Sequence, residues 1–231
     1  MKNLIARNAV NVQGHIAEVC EEYGRKVDEI TIVVITKGFP SLAIRNAVAA
    51  GFHDVGENRV QDAEPKIIEL GRIATYHMVG HLQSNKAKKA VQLFDVIQSV
   101  DSLNLAKEIN KYALEVNRKT ECFVQVNSSG EVKKFGVAPD ECINLIQEIQ
   151  SLSNIKLTGL MTIGPLTKDE KVIRAAFTKC RELFKTGAAH LGSEFKHLSM
   201  GMSDDFQLAI AEGSTMIRLG TAIFGPRPAQ K

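Results

Sequence analysis

Short runs of β-branched and aliphatic residues alternate along this chain with longer segments in which apolar residues recur every three or four positions. The most apolar short run, residues 30–36, is rich in Ile, Val and Thr, which predicts a strand buried on both faces. Residues 3–23 instead have the one-sided apolar spacing of an amphipathic helix, and Gly24 supplies a stop signal. The pattern therefore predicts a helix ahead of the first strand.

The alternation of strand-like and helix-like segments continues as far as residue 219. The predicted strands cover residues 30–36, 52–55, 76–79, 94–98, 122–126, 157–163, 195–199 and 215–219. The predicted helices between them cover residues 40–50, 59–70, 85–93, 103–116, 139–152, 168–185 and 204–211. Strands that alternate with helices through short connections are typical of α/β proteins with a parallel sheet. We therefore predict a single (β/α)8 barrel of the TIM type with an additional N-terminal helix, and a doubly wound open sheet is the alternative.

Two local features modify this pattern. Pro65 falls inside the helix predicted after Asn58, where a proline would cost about 3 kcal/mol, so we expect a kink or a restart near Asp62. The chain ends about a dozen residues after the last predicted strand, which is too short for a full final helix. We expect the helix at residues 3–23 to cover that strand instead. Because no linker-like segment interrupts the chain, we also expect one domain over residues 1–231.

Composition excludes several classes of protein. At 231 residues and 44% hydrophobic content the chain can bury one large core. A formal net charge of +3 without long runs of like charge gives no electrostatic footprint for nucleic acid. No apolar run approaches the length of a membrane span, so we expect a cytoplasmic protein without membrane contact. The cysteines are too widely spaced for a C-x-x-C zinc motif and are expected to be reduced core residues, namely Cys20, Cys122, Cys142 and Cys180.

Lys37 follows the first apolar run directly and is the most informative single residue. The carboxyl ends of strands are where α/β sheets place their chemistry. Partial burial would disfavour the ammonium form of Lys37 and lower its pKa, and a free amine can attack a carbonyl group. The functional interpretation is a lysine that forms a Schiff base. The structural alternative is a strand-end lysine whose ammonium group reaches solvent.

Polar residues follow most of the other predicted strands as well. Together with Lys37 they would ring one mouth of a barrel, and they are Asn58, His81, Asp101, Asn127, Thr162, Ser199 and Arg218. For Asp101, Asn127 and Thr162 we favour a structural role, because such side chains commonly cap helices or order turns at these positions.

Two glycine-containing segments follow the last two predicted strands, at residues 199–203 and 218–222. Barrels commonly bind a phosphate group in the loops after strands seven and eight, where glycines allow backbone N–H groups to approach the ligand. We expect such a phosphate site here, across the mouth from Lys37. The structural alternative makes the glycines turn residues, and Ser203 is in either case expected to cap the following helix.

Several of these segments together resemble a known family. They closely resemble the pyridoxal phosphate homeostasis protein family, which shares the barrel of the alanine racemase N-terminal domain. The segments that carry the resemblance are Lys37, Gly56-Glu57-Asn58, His77-Met78-Val79-Gly80-His81-Leu82-Gln83-Ser84-Asn85-Lys86, Ser199-Met200-Gly201-Met202-Ser203-Asp204 and Arg218-Leu219-Gly220-Thr221-Ala222-Ile223-Phe224-Gly225.

The resemblance implies that the protein carries pyridoxal 5′-phosphate as an internal aldimine on Lys37. It also implies that Ser199, Gly220 and Thr221 surround the phosphate and that Arg218 faces the pyridine nitrogen. The remaining cofactor-binding residues implied by the resemblance are Asn58, His81 and Met200. A guanidinium stays charged and accepts no proton, so the ring nitrogen would stay unprotonated and the cofactor would be a poor electron sink.

The function implied by the resemblance is intracellular homeostasis and delivery of pyridoxal phosphate by a monomer without robust enzymatic activity, with apo forms of pyridoxal phosphate enzymes as partners. An enzyme is the alternative, either a minimal amino-acid racemase or a Schiff-base aldolase acting on a phosphorylated sugar. A scaffold with a vestigial site is a third possibility. A racemase on this barrel would use a tyrosine base from a second domain, whereas Tyr23, Tyr76 and Tyr112 map away from the predicted mouth.

Overall fold

A computed structural model describes residues 2–226, and these residues form a closed barrel of parallel strands surrounded by helices. Within this range the strands are β1 (Thr31–Ile35), β2 (Asp54–Glu57), β3 (Thr75–Met78), β4 (Val96–Val100), β5 (Thr120–Val126), β6 (Ile155–Thr162), β7 (His197–Met202) and β8 (Met216–Leu219). The helices are α1 (Lys2–Glu22), α2 (Ser41–Ala49), α3 (Val60–Leu70), α4 (Ala87–Leu93), α5 (Leu103–Glu115), α6 (Cys142–Gln150), α7 (Glu170–Leu191), α8 (Phe206–Ala211) and α9 (Thr221–Phe224). Each strand pairs with the next, and β8 pairs with β1. The predicted barrel is therefore confirmed, and the open sheet is excluded.

The apolar residues of β1 show how the strands divide between the two faces of the barrel wall. Val33 and Ile35 belong to the cluster inside the barrel, whereas Val34 packs in the layer between the barrel and the helices. Gly56 on the neighbouring strand has no side chain because Ile35 and Val33 already fill that part of the interior. The same period of two, continued for two residues beyond β1, would place Lys37 on the inward-facing side.

Helix α1 covers the seam between β1 and β8, as predicted for residues 3–23. Its apolar face shares one buried cluster with Val34 of β1 and Ile217 of β8. The side-chain amide of Asn8 donates to the carbonyl oxygen of Ile223 at 3.0 Å, which ties α1 to α9. Helix α9 is a single turn, so α1 supplies most of the apolar cover that a final barrel helix would give.

Three strands begin two residues later than predicted, namely β2, β4 and β7. In each case the predicted strand began at a buried phenylalanine that lies in the connection before the strand, namely Phe52, Phe94 and Phe195. An apolar pattern reports burial, and a connection that passes beneath the helix layer can be as buried as a strand. Strand β7 also ends three residues later than predicted, at Met202, so Ser199 lies within the strand, not at its end.

Helix α3 is continuous through Pro65, so the predicted restart near Asp62 is wrong. Proline removes the hydrogen bond to the carbonyl four residues earlier, which here belongs to Gln61. Both Gln61 and Pro65 are on the exposed side of the helix, where water can satisfy that carbonyl. The buried face of α3, which includes Ala63 and Ile67, is not interrupted.

The four cysteines are all buried and unpaired within the described part of the chain, as predicted. Burial raises the pKa of the Cys142 thiol to about 12, which keeps this thiol protonated and unreactive at neutral pH. No helix between residues 2 and 226 combines the length and the apolar character needed to cross a membrane.

The packing of α1 against the seam predicts a position-dependent loss of stability on that helix. Ile16 is 1% exposed and Val10 is 67% exposed. Replacing Ile16 by Ala should lower the free energy of unfolding by about 2–5 kcal/mol, because it removes buried methyl groups and leaves a cavity. The matched change Val10→Ala should stay within about 0.5 kcal/mol of wild type. Urea unfolding curves measure both, and equal losses for the two variants would mean that α1 does not pack on the barrel.

Candidate functional site

Lys37 is half-buried and lies two residues after the end of β1, in the loop that leads to α2. Thr36, the residue just before Lys37, is hydrogen-bonded to Glu57 and Lys66 on the outer side of the barrel wall. The hydroxyl of Thr36 donates to Glu57 Oε1 at 2.6 Å, and Lys66 Nζ donates to the Thr36 carbonyl at 2.9 Å and to Glu57 Oε1 at 2.6 Å. Glu57 is 1% exposed, so this buried ion pair fixes the chain on which Lys37 is mounted.

The loop after β8 lies beside Lys37 because β8 is the neighbour of β1 in the closed barrel. Val34 pairs with Leu219, and a Cβ atom added to Gly220 would lie 3.7 Å from Ile35. The expectation that a phosphate near Gly220 would lie across the mouth from Lys37 is therefore wrong. A linear sequence separates strands one and eight by the whole chain, whereas closure of the sheet makes them adjacent.

Ser203 joins the loop after β7 to the loop after β8. Its Oγ accepts hydrogen bonds from the backbone N–H groups of Gly220 and Ala222, both at 3.2 Å. Within residues 2–226 no acceptor for the hydroxyl proton of Ser203 is found, so this proton can serve a bound anion. The backbone N–H of Thr221 is a second donor that is suited to an anion, because the N–H of the first residue of a helix has no acceptor inside that helix.

The structure contradicts the expectation that Ser203 caps the helix after β7. Helix α8 begins at Phe206, and its N-cap position is held by Asp205 without a side-chain capping bond. Because β7 extends to Met202, Ser203 lies too far before the helix to reach its first free N–H groups. Its side chain bonds across to the next loop instead.

Arg218 lies below the rim, inside the barrel, and is 4% exposed. Its Nη1 donates to Ser199 Oγ at 2.8 Å, and its Nη2 donates to the carbonyl oxygen of Thr162 at 2.7 Å. Burial lowers the pKa of Arg218 to about 10, and the nearby carboxylate of Asp205 opposes that shift. The guanidinium therefore remains charged at neutral pH.

A line of buried polar side chains continues from Ser199 across the interior of the barrel. Ser199 Oγ donates to Gln98 Oε1 at 2.7 Å, and Gln98 Nε2 lies 2.9 Å from His77 Nδ1. His77 Nε2 in turn lies 2.9 Å from Asp54 Oδ1. Sequence reasoning missed Asp54, His77 and Gln98, although each falls within a predicted strand. An isolated polar residue at an inward position of a buried strand was the available signal.

The other three predicted site residues differ in their distance from Lys37 and Arg218: Asn58 follows β2, which pairs with β1, and Met200 is on β7, which pairs with β8, whereas His81 lies further around the barrel. Met200 is fully buried in the layer between the barrel and the helices, so only its backbone can face the mouth. Asn58 directly follows β2 and is half-buried, and its backbone presses against Gly80, where a side chain would collide. His81 is on the side of β3 and β4, where its Nδ1 lies 3.3 Å from Asp101 Oδ2 and its ring stacks on Phe135.

Asn127 and Thr162 have local structural partners. The side-chain amide of Asn127 donates to the carbonyl oxygen of Glu131 at 2.9 Å, which orders the loop after β5. The hydroxyl of Thr162 donates to the carbonyl oxygen of Val126 at 2.8 Å. Both residues therefore bind the chain that surrounds them, as strand-end polar residues often do.

The residues near the β1 and β8 ends combine three kinds of chemistry. Lys37 supplies an amine, Ser203 with Thr221 supplies hydrogen-bond donors for an anion, and Arg218 supplies a buried cation beneath them. An amine beside anion donors is suited to a small ligand that carries both a carbonyl group and a phosphate.

Comparison with known proteins identifies the family of this chain. The family model described as alanine racemase, N-terminal domain, matches residues 13–228. A pyridoxal phosphate homeostasis protein of Pseudomonas aeruginosa is 37% identical over 224 residues, which cover 96% of each chain. A protein of unknown function from Bifidobacterium adolescentis superposes with a TM-score of 0.93 at 36% identity, covering 96% of this chain and 95% of the other.

A further solved structure adds a bound ligand to the comparison. PipY of Synechococcus elongatus, in its structure with PLP bound, is 37% identical and superposes with a TM-score of 0.79. The match covers 91% of this chain and 100% of PipY. Because relatives of this identity match nearly the whole length of the chain, and the family model matches residues 13–228, the chain belongs to the pyridoxal phosphate homeostasis protein family.

Proposed function

We propose that this protein binds pyridoxal 5′-phosphate at the β1 and β8 ends of the barrel and keeps it for delivery to other proteins. The observation that carries the proposal is the adjacency of Lys37 to the loop at Gly220 and Thr221. It places an amine and an anion-binding loop on neighbouring strands, which is what a small phosphorylated aldehyde requires. The related PipY, with PLP bound in its solved structure, supports the same ligand.

The residues present fit the chemical groups of this cofactor. Lys37 supplies the amine for the aldehyde, with the parity of β1 directing it inward. Ser203 and Thr221 supply an O–H and an N–H for the phosphate, and a Cβ added at Gly220 would meet no atom closer than 3.7 Å, which leaves room for an anion beside the backbone. Arg218 would supply a charged group beneath the rim for the pyridine ring. Within the predicted set, Ser199 would then act by holding Arg218, and the cofactor contacts of Asn58, His81 and Met200 stay predictions.

Two properties of the site favour a carrier over an enzyme. When bound, pyridoxal phosphate supplies an aldehyde that bonds to amines and a ring that withdraws electrons best when its nitrogen is protonated. Arg218, which would face the ring nitrogen, is a charged donor that cannot accept a proton from the ring or protonate its nitrogen as an acid would. The site therefore lacks the acidic partner that strengthens electron withdrawal.

The tyrosines are engaged far from the Lys37 loop. Tyr76 faces the helix layer, and its hydroxyl donates to the carbonyl oxygen of Gly71 at 3.0 Å. The hydroxyl of Tyr23 accepts from Arg174, and Tyr112 lies on α5 beneath the ammonium groups of two lysines. A racemase needs a proton donor on the face of the substrate opposite its lysine, and none of these tyrosines is placed to serve.

The carrier role also agrees with the names of the relatives, which are homeostasis proteins. A carrier must release its cargo, and the exposed Thr221 and half-buried Lys37 leave one side of the site open to solvent. We propose apo forms of pyridoxal phosphate enzymes as recipients, and a monomer that acts in the cytoplasm. A racemase or aldolase remains the alternative function.

Replacing Lys37 by Ala should abolish the visible absorbance that the wild-type protein acquires with pyridoxal phosphate, because the covalent link to the protein is lost. The matched control is Lys119→Ala, which removes an exposed lysine next to the amino end of β5. Absorbance spectra at equal cofactor loading provide the measurement. A Lys37→Ala protein with the wild-type spectrum would assign the link to another lysine, such as Lys133 or Lys134.

Replacing Ser203 by Ala should weaken the binding of pyridoxal phosphate about tenfold, the effect of one lost hydrogen bond to a charged group. Binding of pyridoxal, which lacks the phosphate, should be unchanged. Ser151→Ala, at the end of α6, is the control. Fluorescence titrations with the two ligands give both constants. An equal loss for both ligands would show that Ser203 does not serve the phosphate.

Incubation of the loaded protein with L-alanine in deuterium oxide should give racemisation far slower than about one event per second, the lower range of typical enzyme turnover. The physical reason is the combination of the Arg218 cation with the absence of a placed second base. Chiral chromatography and the deuterium content at Cα measure the outcome, with Lys37→Ala as the blank. Racemisation at enzymatic rates would move the protein from carrier to enzyme.

A further inference from the structure

Four buried polar residues inside the barrel and the partly exposed Asp54 form one chain of hydrogen bonds with a definite direction. It joins residues of five strands, in the order Arg218, Ser199, Gln98, His77 and Asp54. Every contact in it is between 2.7 and 2.9 Å. Asp54 begins β2, whereas Arg218 is next to the last residue of β8, so the chain connects the amino end of one strand to the site at the mouth.

The direction follows from what each group can donate. Arg218 has only donors, so Ser199 Oγ accepts from it and must give its own proton to Gln98 Oε1. The amide nitrogen of Gln98 then faces His77 Nδ1 and also contacts the sulfur of Met216 at 3.1 Å, a weak acceptor that suits an N–H donor. His77 therefore accepts at Nδ1 and carries its proton on Nε2, which donates to Asp54.

We propose that Asp54, His77 and Gln98 are positioning residues that orient the guanidinium of Arg218. The orientation matters because, among residues 2–226, Arg218 donates to two acceptors, Ser199 Oγ and the Thr162 carbonyl, and the hydroxyl of Ser199 can rotate. The Gln98 acceptor fixes that rotation, and Gln98 is in turn fixed by His77 and Asp54. The consequence for the cofactor rests on the proposed function, whereas the orientation itself does not.

Loss of the Asp54 carboxylate would change the hydrogen bonds of Arg218 through His77, Gln98 and Ser199. Without Asp54, His77 can place its proton on Nδ1, and the Gln98 amide can turn so that its oxygen accepts from His77. The amide nitrogen would then donate to Ser199 Oγ alongside Arg218, and the hydroxyl proton of Ser199 would lose the acceptor that fixes its rotation. Arg218 would keep the Thr162 carbonyl and lose its fixed second partner.

The first experiment measures Arg218 directly, in protein without added cofactor. Hydrogen exchange of the Arg218 guanidinium protons is followed by NMR in wild type, Gln98→Met and Ser99→Ala. Ser99 is the neighbouring buried residue on β4, and its hydroxyl has no hydrogen-bond partner among the described residues. Gln98→Met should raise the exchange rate about tenfold, the effect of one lost buried hydrogen bond, and Ser99→Ala should not change it. An unchanged rate in Gln98→Met would overturn the proposal.

The second experiment tests Asp54, at the far end of the hydrogen-bond chain, with a pair of substitutions. Because the side chain of Asp54 is 29% exposed, replacing it disturbs the fold less than replacing the buried Gln98. Asp54→Asn keeps an acceptor for His77, and Asp54→Leu removes it. Nitrogen-15 NMR of His77 should show the proton on Nε2 in wild type and Asp54→Asn, and a mixture of tautomers in Asp54→Leu with about tenfold faster Arg218 exchange. A proton on Nδ1 in the wild-type protein, or identical exchange in the two variants, would overturn the proposal.

Titration with pyridoxal phosphate separates this inference from the proposed function. If the wild type fails to bind the cofactor, the proposed function is wrong, while the exchange rates still decide the role of the chain. If it binds, Gln98→Met and Asp54→Leu should raise the dissociation constant about tenfold and shift the absorbance maximum of the bound cofactor, and Ser99→Ala and Asp54→Asn should do neither. An equal dissociation constant and an unshifted maximum in all four variants would contradict the proposal.

Discussion

The pairing of β8 with β1 is the contact on which the site depends. It closes the sheet, and by closing it brings together two loops that lie at opposite ends of the chain. Lys37 and the Gly220 loop belong to these two strands, so neither could form a site if the sheet stayed open. Helix α1 protects the same seam from the outside, because its apolar face packs on residues of both strands. The geometry of the site therefore depends on the stability of the β1–β8 seam.

The interior beneath the site is unusual because it holds a buried cation among apolar side chains. Taking a charge out of water costs several kcal/mol unless hydrogen bonds and nearby charges compensate. Arg218 receives that compensation from Ser199, from the Thr162 carbonyl and from the charge of Asp205. The remaining interior around Val33, Phe123 and Met161 is apolar, which leaves the polar residues to bond with one another. Low polarity around a hydrogen-bond chain strengthens each of its members.

The sequence predicted the barrel well because its evidence was periodic. Short apolar runs mark the strands and apolar residues every three or four positions mark the helices, and an error of two residues at Phe94 or Phe195 does not change the order of the elements. The location of Lys37 just after the end of β1 was also predictable, although a lysine there has a structural explanation as well, namely an ammonium group that reaches solvent. What pattern alone could not supply was adjacency in space. The relation between Lys37 and Gly220 required the closed sheet, and the true partners of Ser203 required the loop after β8.

The central claim is that Lys37 is the residue to which pyridoxal phosphate is attached, beside its phosphate site. The most direct measurement is borohydride reduction of the wild-type protein after incubation with one equivalent of the cofactor, followed by peptide mass spectrometry. Reduction makes the carbon–nitrogen bond permanent and reports the lysine that carries it. The account predicts a pyridoxyl phosphate group on Lys37, with labelling suppressed by excess inorganic phosphate. Labelling spread over several exposed lysines, or confined to Lys133 or Lys134, would contradict it.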